Sequence, residues 1–192
     1  MSKITLGLIA DTHVPDRKRG LDPRILPAFQ QAGVTAILHA GDISTPSLLA
    51  QLGQVAPVHA VRGNTDWFGF RDLPTHRTLK YAGLRIGLAH GHINWPNYLR
   101  DKLAYLLYGP RSFDYFTQRI LAFFPDADVI VFGHTHEPFV RRFGKTLVVN
   151  PGSACCQVLP GKDPSYGLLH ISSSGVDAEI HCLPQDEAKL SR

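Results

Sequence analysis

The stretch Lys3-Ile4-Thr5-Leu6-Gly7-Leu8-Ile9-Ala10-Asp11-Thr12-His13 decides the fold class. Residues 3–10 read as a buried strand dominated by Ile4, Leu6, Leu8 and Ile9, and polar residues begin at Asp11. A polar loop with Pro15, Gly20 and Pro23 follows, then a helical segment over 24–32 that stops at Gly33. Residues 35–40 form a second apolar strand, halted by Gly41-Asp42. Residues 46–52 make a short helix with Ser44 or Thr45 as its cap, and 57–61 a third strand closed by Arg62-Gly63-Asn64. Strand, helix, strand, helix, strand favours a parallel sheet.

The second half changes style. Segments 78–81 and 84–89 flank Ala82-Gly83, 139–143 and 146–150 flank Gly144-Lys145, and 166–171 and 176–182 flank a Ser/Gly turn. Each pair reads as a β-hairpin. Residues 129–132 add a short apolar strand between them. The expected fold is therefore α/β: a two-sheet sandwich with flanking helices, parallel strands first and antiparallel hairpins later. One domain should span 1–192, with a helical insert at about 94–125 that breaks at Gly109-Pro110. In that insert Leu99, Leu103, Leu106 and Leu107 recur at helical spacing, as do Phe113, Phe116, Ile120, Leu121 and Phe124. Two helices packed on the core would account for it. Its aromatic richness keeps a second reading beside that one: a cap over a site, or a homodimer surface.

Composition narrows the class. Apolar residues make up 44% of the 192 and charged residues 19%, enough for a true core. No apolar run approaches the roughly 20 residues of a membrane span, and no signal-peptide pattern opens the chain. A cytoplasmic protein without a membrane partner is expected. Cys155, Cys156 and Cys182 suggest reduced thiols rather than a disulfide framework, and no Cys-x-x-Cys spacing marks a zinc site. The net charge is +4, with short runs at Arg17-Lys18-Arg19 and Arg141-Arg142. These are solvated loop residues or a mild attraction for anionic substrates. No long basic stripe suggests nucleic acid.

Chemistry-bearing residues collect where apolar strands stop. Asp11 and His13 follow the first strand, Asp42 the second, and Asn64 and Asp66 the third; His90 and His92 follow 84–89, and His134 and His136 follow 129–132. Each cluster alone is ordinary turn chemistry, except Gly133-His134-Thr135-His136, where two histidines share one strand exit. Ligands of open α/β sheets bind beyond the carboxyl ends of the strands, so all five clusters can converge. Carboxylates, an amide oxygen and imidazoles without thiolates suit divalent transition metals, and one carboxylate can bridge a metal pair.

These motifs, Asp11-Thr12-His13, Gly41-Asp42, Gly63-Asn64-Thr65-Asp66, His90-Gly91 and Gly133-His134-Thr135-His136, stand in the order used by the calcineurin-like metallophosphoesterases. Asn150-Pro151-Gly152-Ser153 and Pro164-Ser165-Tyr166-Gly167 resemble C-terminal signatures of the compact YfcE-type branch. The resemblance implies a phosphoester hydrolase, above all a phosphodiesterase, with two divalent metal ions: manganese first, then nickel, zinc or iron. It gives one metal Asp11, His13 and His136, gives the other Asn64, His90 and His134, and makes Asp42 the bridge. A hydroxide between the metals would attack phosphorus in line. The implied substrate is a small-molecule or nucleotide-derived phosphate ester.

Larger relatives carry a histidine after the motif asparagine as a proton donor; here Thr65 stands there. His92 is the candidate replacement, so Asp42, Asn64 and His92 are the expected catalytic residues. His39 reads as a packed residue supporting the ligands, and His59, His76, His170 and His181 as strand or loop residues without a catalytic task. Asp66 either orients a ligand or caps its turn. Two other functions compete: a non-catalytic scaffold of the same fold, as in the retromer subunit, and a nucleic-acid phosphodiesterase. The full ligand set argues against the first and the missing basic stripe against the second. No Gly-x-Gly-x-x-Gly follows the first strand, which excludes a dinucleotide fold.

Overall fold

The computed structural model describes residues 3–16, 20–66, 70–109, 111–155 and 163–184. The Arg17-Lys18-Arg19 run, Pro110 and Cys156 lie outside them. In chain order the elements are β1 (Ile4–Ile9), α1 (Ile25–Gln31), β2 (Ala36–His39), α2 (Pro46–Gly53), β3 (Val58–Ala60), β4 (His76–Tyr81) and β5 (Leu84–Ala89). Then come α3 (Trp95–Tyr108), α4 (Phe113–Phe123), β6 (Val129–Phe132), β7 (Phe139–Phe143), β8 (Thr146–Asn150), β9 (Ser165–Ser172) and β10 (Gly175–Cys182).

Two five-stranded mixed sheets face each other, ordered β10-β9-β1-β2-β3 and β4-β5-β6-β8-β7. Strand alternation explains the layers. Leu6, Leu8 and Ala10 point between the sheets, where they meet Leu38, Val61, Leu88, Val131 and Val149. Ile9 points outward and packs with Ile37 under Ile25 and Phe29 of α1 and Leu48 and Leu52 of α2. On the other outer face Phe116, Ile120 and Phe124 cover Ile130, Phe132 and Val148.

The three expected hairpins form, as β4–β5, β7–β8 and β9–β10. The second sheet is nevertheless parallel at its centre, because β6 pairs in parallel with both β5 and β8. The α3–α4 crossover returns the chain in the direction of β5, and β7 turns back at the edge so that β8 follows β6. Parallel strands from both sheets thus send their carboxyl ends to one edge. Helix α3 differs from the others: Asp101 and Ala104 are its buried residues, while Leu99, Leu103, Leu106 and Leu107 face outward.

Candidate metal centre

Every candidate donor sits in a turn just past a strand, and most of these turns are backbone outliers. Asp11 (φ 50°), His13 (46°), Asp42 (55°), His134 (82°) and His136 (58°) all occupy the left-handed region. Side chains with a Cβ avoid it, at a cost of about 1–3 kcal/mol each, and such residues persist only where their surroundings over-determine them. Here the loops are cross-tied. Asp11 N–H donates to the Gly41 carbonyl at 3.0 Å, and Thr12 and His13 N–H both donate to the Asp42 carbonyl, at 3.0 and 3.1 Å. The Asp66 carboxylate accepts from Ile43 and Ser44 N–H on one oxygen, at 2.8 and 2.9 Å, and from Gly63 N–H on the other, at 2.8 Å. It therefore locks the Asp42 loop to the Asn64 loop. Ser153 Oγ donates to the Asp11 carbonyl at 2.8 Å, and Asn150 Nδ2 donates to Gly133 O and Thr135 Oγ1 at 3.3 and 3.0 Å.

Two glycines let the loops close. A Cβ on Gly63 would stand 2.1 Å from Asp42 Oδ1 and 2.2 Å from Asp42 N, and one on Gly133 2.8 Å from Asp11 Oδ2.

The donors form two groups. In the first, ligand atoms of Asp11, His13, Asp42 and His136 lie within 4.8 Å of one another. His136 Nε2 is 3.2 Å from Asp11 Oδ1, and His13 Nε2 is 3.6 Å from Asp42 Oδ2. In the second, atoms of His90, His92 and His134 lie equally close. Asn64 Oδ1 joins them, 3.1 Å from His90 Nε2 and 2.9 Å from His134 Nδ1. Asp42 faces both groups, since its Oδ1 is 3.6 Å from His90 Nε2 while its Oδ2 faces His13. Thr65 N–H donates to that Oδ1 at 2.9 Å and holds the carboxylate in this orientation. All seven ligand residues expected from the sequence are brought together. His92, expected as a proton donor, stands among the imidazoles.

The chemistry of the set fits a divalent cation. His90 Nδ1–H donates to the Ala40 carbonyl at 2.7 Å, which leaves the Nε2 lone pair facing Asn64 Oδ1. Two lone-pair atoms 3.1 Å apart repel unless a cation is ligated by both. His92 Nδ1 is buried with no hydrogen-bond partner among the described residues, an arrangement that costs free energy unless the atom is ligated.

Electrostatics agree. Burial raises the Asp11 carboxyl pKa, but the imidazoles of His136, His90 and His13 outweigh it and hold the group well below the usual carboxylate range. Burial, helped by neighbouring His90 and Arg119, pushes His92 down to about 3. Burial with His90 and His92 pushes His134 well below its ordinary value. His92 and His134 are therefore neutral at neutral pH, the form that ligates metals.

The remaining candidates separate cleanly. His39 is fully buried beneath the loops: Gly41 N–H donates to its Nδ1 at 3.2 Å, and its Nε2 meets Thr12 Oγ1 at 3.1 Å. His59 bonds Tyr81, His76 packs edge-on against Phe123, His170 pairs with Glu179, and His181 stacks on Tyr166. None joins the cluster. Cys155 is buried, its N–H reaching Ser153 Oγ at 3.4 Å. The bracing roles of Asn150 and Ser153 were not read from the sequence; their place in the Asn-Pro-Gly-Ser signature was the one available signal. Beside the cluster, Phe116 of α4 meets His134 edge-on at 5.1 Å and Tyr98 of α3 meets His92 at 5.7 Å. Both helices thus border the site.

A carboxylate–imidazole cluster on the strand-exit edge of a two-sheet sandwich defines a candidate metal centre in an α/β fold. The chain belongs to the calcineurin-like phosphoesterase superfamily, whose domain model matches residues 4–174. It is 36% identical over 175 residues to a protein of Methanothermobacter thermautotrophicus named a probable metallophosphoesterase, covering 91% of this chain and 90% of that one. Among solved structures, Vps29 of Chaetomium thermophilum aligns with a TM-score of 0.72 at 21% identity, over 96% of this chain and 90% of that one. Wild-type Vps29 of Entamoeba histolytica, solved with Zn2+, aligns at 0.63 and 26% identity, over 93% and 99%.

Proposed function

We propose that the chain is a phosphodiester hydrolase working with two divalent cations, manganese favoured, on small-molecule or nucleotide-derived esters. The observation that carries this reading is Asp42, whose two carboxylate oxygens face different donor groups. Asp11, His13 and His136 would hold one cation and Asn64, His90 and His134 the other, with Asp42 shared. When bound, the pair supplies charge stabilisation to the phosphoryl oxygens and makes water a competent nucleophile near neutral pH. The chain's own residues do the positioning. Asp66, Asn150 and Ser153 fix the loops, Thr65 N–H aims Asp42, and the Ala40 carbonyl sets the His90 tautomer.

Protonation of the leaving group is the weak point. The Thr65 side chain is exposed and its hydroxyl is a poor acid. His92, held near 3, carries no proton to give at neutral pH; its orphan Nδ1 suits a further nitrogen donor. Rates across aryl and alkyl diesters should therefore fall steeply as leaving-group pKa rises. Thr65→His should flatten that dependence and His92→Ala should leave its slope unchanged. A flat wild-type series would reveal an efficient donor and defeat this part of the reading.

The direct test strips the chain of metal and reloads it with manganese, nickel, zinc or iron. Metal content is measured beside hydrolysis of monoesters, diesters and cyclic nucleotides. Two ions per chain and turnover of diesters are expected. Metal uptake with no turnover of any ester would favour an interaction scaffold, the reading that the likeness to Vps29 supports.

A further inference from the structure

A pocket of about 270 Å³ opens between α3 and α4, lined by Tyr98, Asp101, Lys102, Tyr105, Arg111, Phe116 and His134. We propose that it is a leaving-group subsite for a nucleotide arm, binding an aromatic ring together with an anionic group beyond the scissile phosphorus. The inference rests on the hydrolase reading above, because His134 belongs both to the pocket wall and to the imidazole donor group. A phosphoryl group held at the donors would have one substituent directed into this pocket.

The lining states what that substituent is. Tyr98, Tyr105 and Phe116 are ring walls, and flat aromatic ligands stack on such rings whatever their base identity. Two of the lining residues, Lys102 and Arg111, are cationic, and among the described residues neither has an acidic partner. Lys102 Nζ lies 5.7 Å from the Tyr98 ring centroid, so its charge stands over the aromatic wall. The one acid of the lining is already neutralised: Arg119 holds Asp101 through two hydrogen bonds, at 2.6 and 2.9 Å, and Tyr115 donates to it at 2.9 Å. The pocket is therefore net positive. An acyl chain would leave both cations unused, and a sugar phosphate would leave the rings unused; a nucleotide uses both.

The walls are set before any ligand arrives. The Asp101–Arg119 pair joins α3 to α4, and Arg100 donates to Tyr115 across the same gap at 3.3 Å. Asn94 caps α3 through the N–H of Asn97, and Ser112 caps α4 through that of Tyr115. The volume lies just below the roughly 300–1,000 Å³ of small-molecule clefts, which limits the occupant to one nucleoside-sized group. In the reaction, oxygen from water bonds to phosphorus and the bond from phosphorus to the departing nucleotide's oxygen breaks. The proton lost by water passes to solvent, and the departing oxygen is protonated from solvent.

The test uses the full chain, metal-free and manganese-reloaded, with calorimetric titration of adenosine 5′-monophosphate, ribose 5-phosphate and inorganic phosphate. Adenosine 5′-monophosphate should bind the metal-free chain at least tenfold more tightly than ribose 5-phosphate. Reversing both cations, Lys102→Glu with Arg111→Glu, should weaken it tenfold or more, and the neutral pair Lys102→Gln with Arg111→Gln should weaken it less. Tyr105→Ala should weaken it several-fold. All of these side chains are exposed, so folding is not at stake, and metal uptake should be unchanged. Equal affinity for the two phosphates, or a charge-reversed chain that binds the nucleotide as wild type does, would overturn the proposal. Nucleotide binding that persists in a chain taking up no metal and cleaving no ester would defeat the hydrolase reading and the leaving-group role, while leaving the pocket as a nucleotide site.

Discussion

The two donor groups of the centre are built from unlike materials. One combines Asp11 and Asp42 with His13 and His136; the other has the imidazoles of His90, His92 and His134 and the amide of Asn64, with Asp42 as its nearest carboxylate, 3.6 Å from His90 Nε2, and Asp11 farther off at 3.9 Å. A divalent cation held by the first would have two carboxylates among its donors, whereas one held by the second would have mostly neutral donors and share Asp42. Neutral nitrogen donors favour softer, later first-row metals, whereas carboxylates accept harder ones. The difference teaches that the two positions should differ in affinity, in pH response and in tolerance to mutation.

The largest effect is expected where the groups meet. Asp42→Asn removes the one charge both share, so activity should fall roughly 10³-fold or more, the scale of losing a major electrostatic stabiliser. Metal analysis should show the imidazole position emptied. Wild-type turnover in this variant would erase the distinction between the groups along with the assignment of Asp42.

Next comes Gly63→Ala, which places a methyl within 2.2 Å of both the Asp42 backbone nitrogen and its carboxylate. Backbone must move to admit it, at a cost of about 1–3 kcal/mol. Thermal unfolding should shift down, and manganese should restore less stability than it gives wild type.

Asn150→Ala sharpens the comparison from outside. It frees the loop that carries His134 to one group and His136 to the other, and loss of such a brace costs about 10–100-fold in metal affinity. Stepwise chelation followed by metal analysis should show both ions released earlier.

Acid should act through His39 even without metal. Its Nδ1 accepts Gly41 N–H, and burial, against the opposing pull of Asp66 and Asp11, pushes it down to about 4. The unfolded chain takes up this proton at the ordinary value near 6.5. The stabilising contribution is thus complete above that value and is lost as pH falls towards 4. Urea midpoints of chelator-treated protein should drop across this window, and His39→Gln should reduce the slope by up to one proton. Smallest of all, His59→Ala should leave turnover and metal content unchanged, since that ring bonds only Tyr81 among the described residues.

The convergence of donors was legible in the sequence because Asp11, Asp42, Asn64, His90 and His134 each interrupt an apolar run, and run endings mark strand ends without knowledge of packing. The left-handed backbone at Asp11, Asp42 and His134 was not, since aspartate and histidine favour that conformation only mildly and distant hydrogen bonds enforce it. Neither was the parallel centre of the second sheet: the pairing of β6 with β5 and β8 is a contact between segments whose own residues say only that they are extended. Within the helical excursion the spacing of Phe116 and Ile120 predicted a covered face correctly for α4. In α3 the same periodicity in leucines marks the outward side, and the inward side is polar and aromatic because it lines a pocket. The burial of His92, which bears on its expected role as proton donor, is something sequence spacing does not report.

The centre also carries a consequence for how the chain comes off the ribosome. Asp11 and His136 sit 3.2 Å apart at their ligand atoms yet lie far apart in the sequence, and each donor group draws on both sheets. Closing so many long loops is slow, and it precedes any reward from the contacts they bring. A nascent chain that has emerged only through β6 still lacks His134 and His136, and the braces Asn150 and Ser153 come later again. A cation that needs all of these donors can be taken up only after they have been translated. A cation ligated by the full donor set would favour only the completed fold and so act as a quality check, retaining finished molecules and leaving truncated ones to proteolysis.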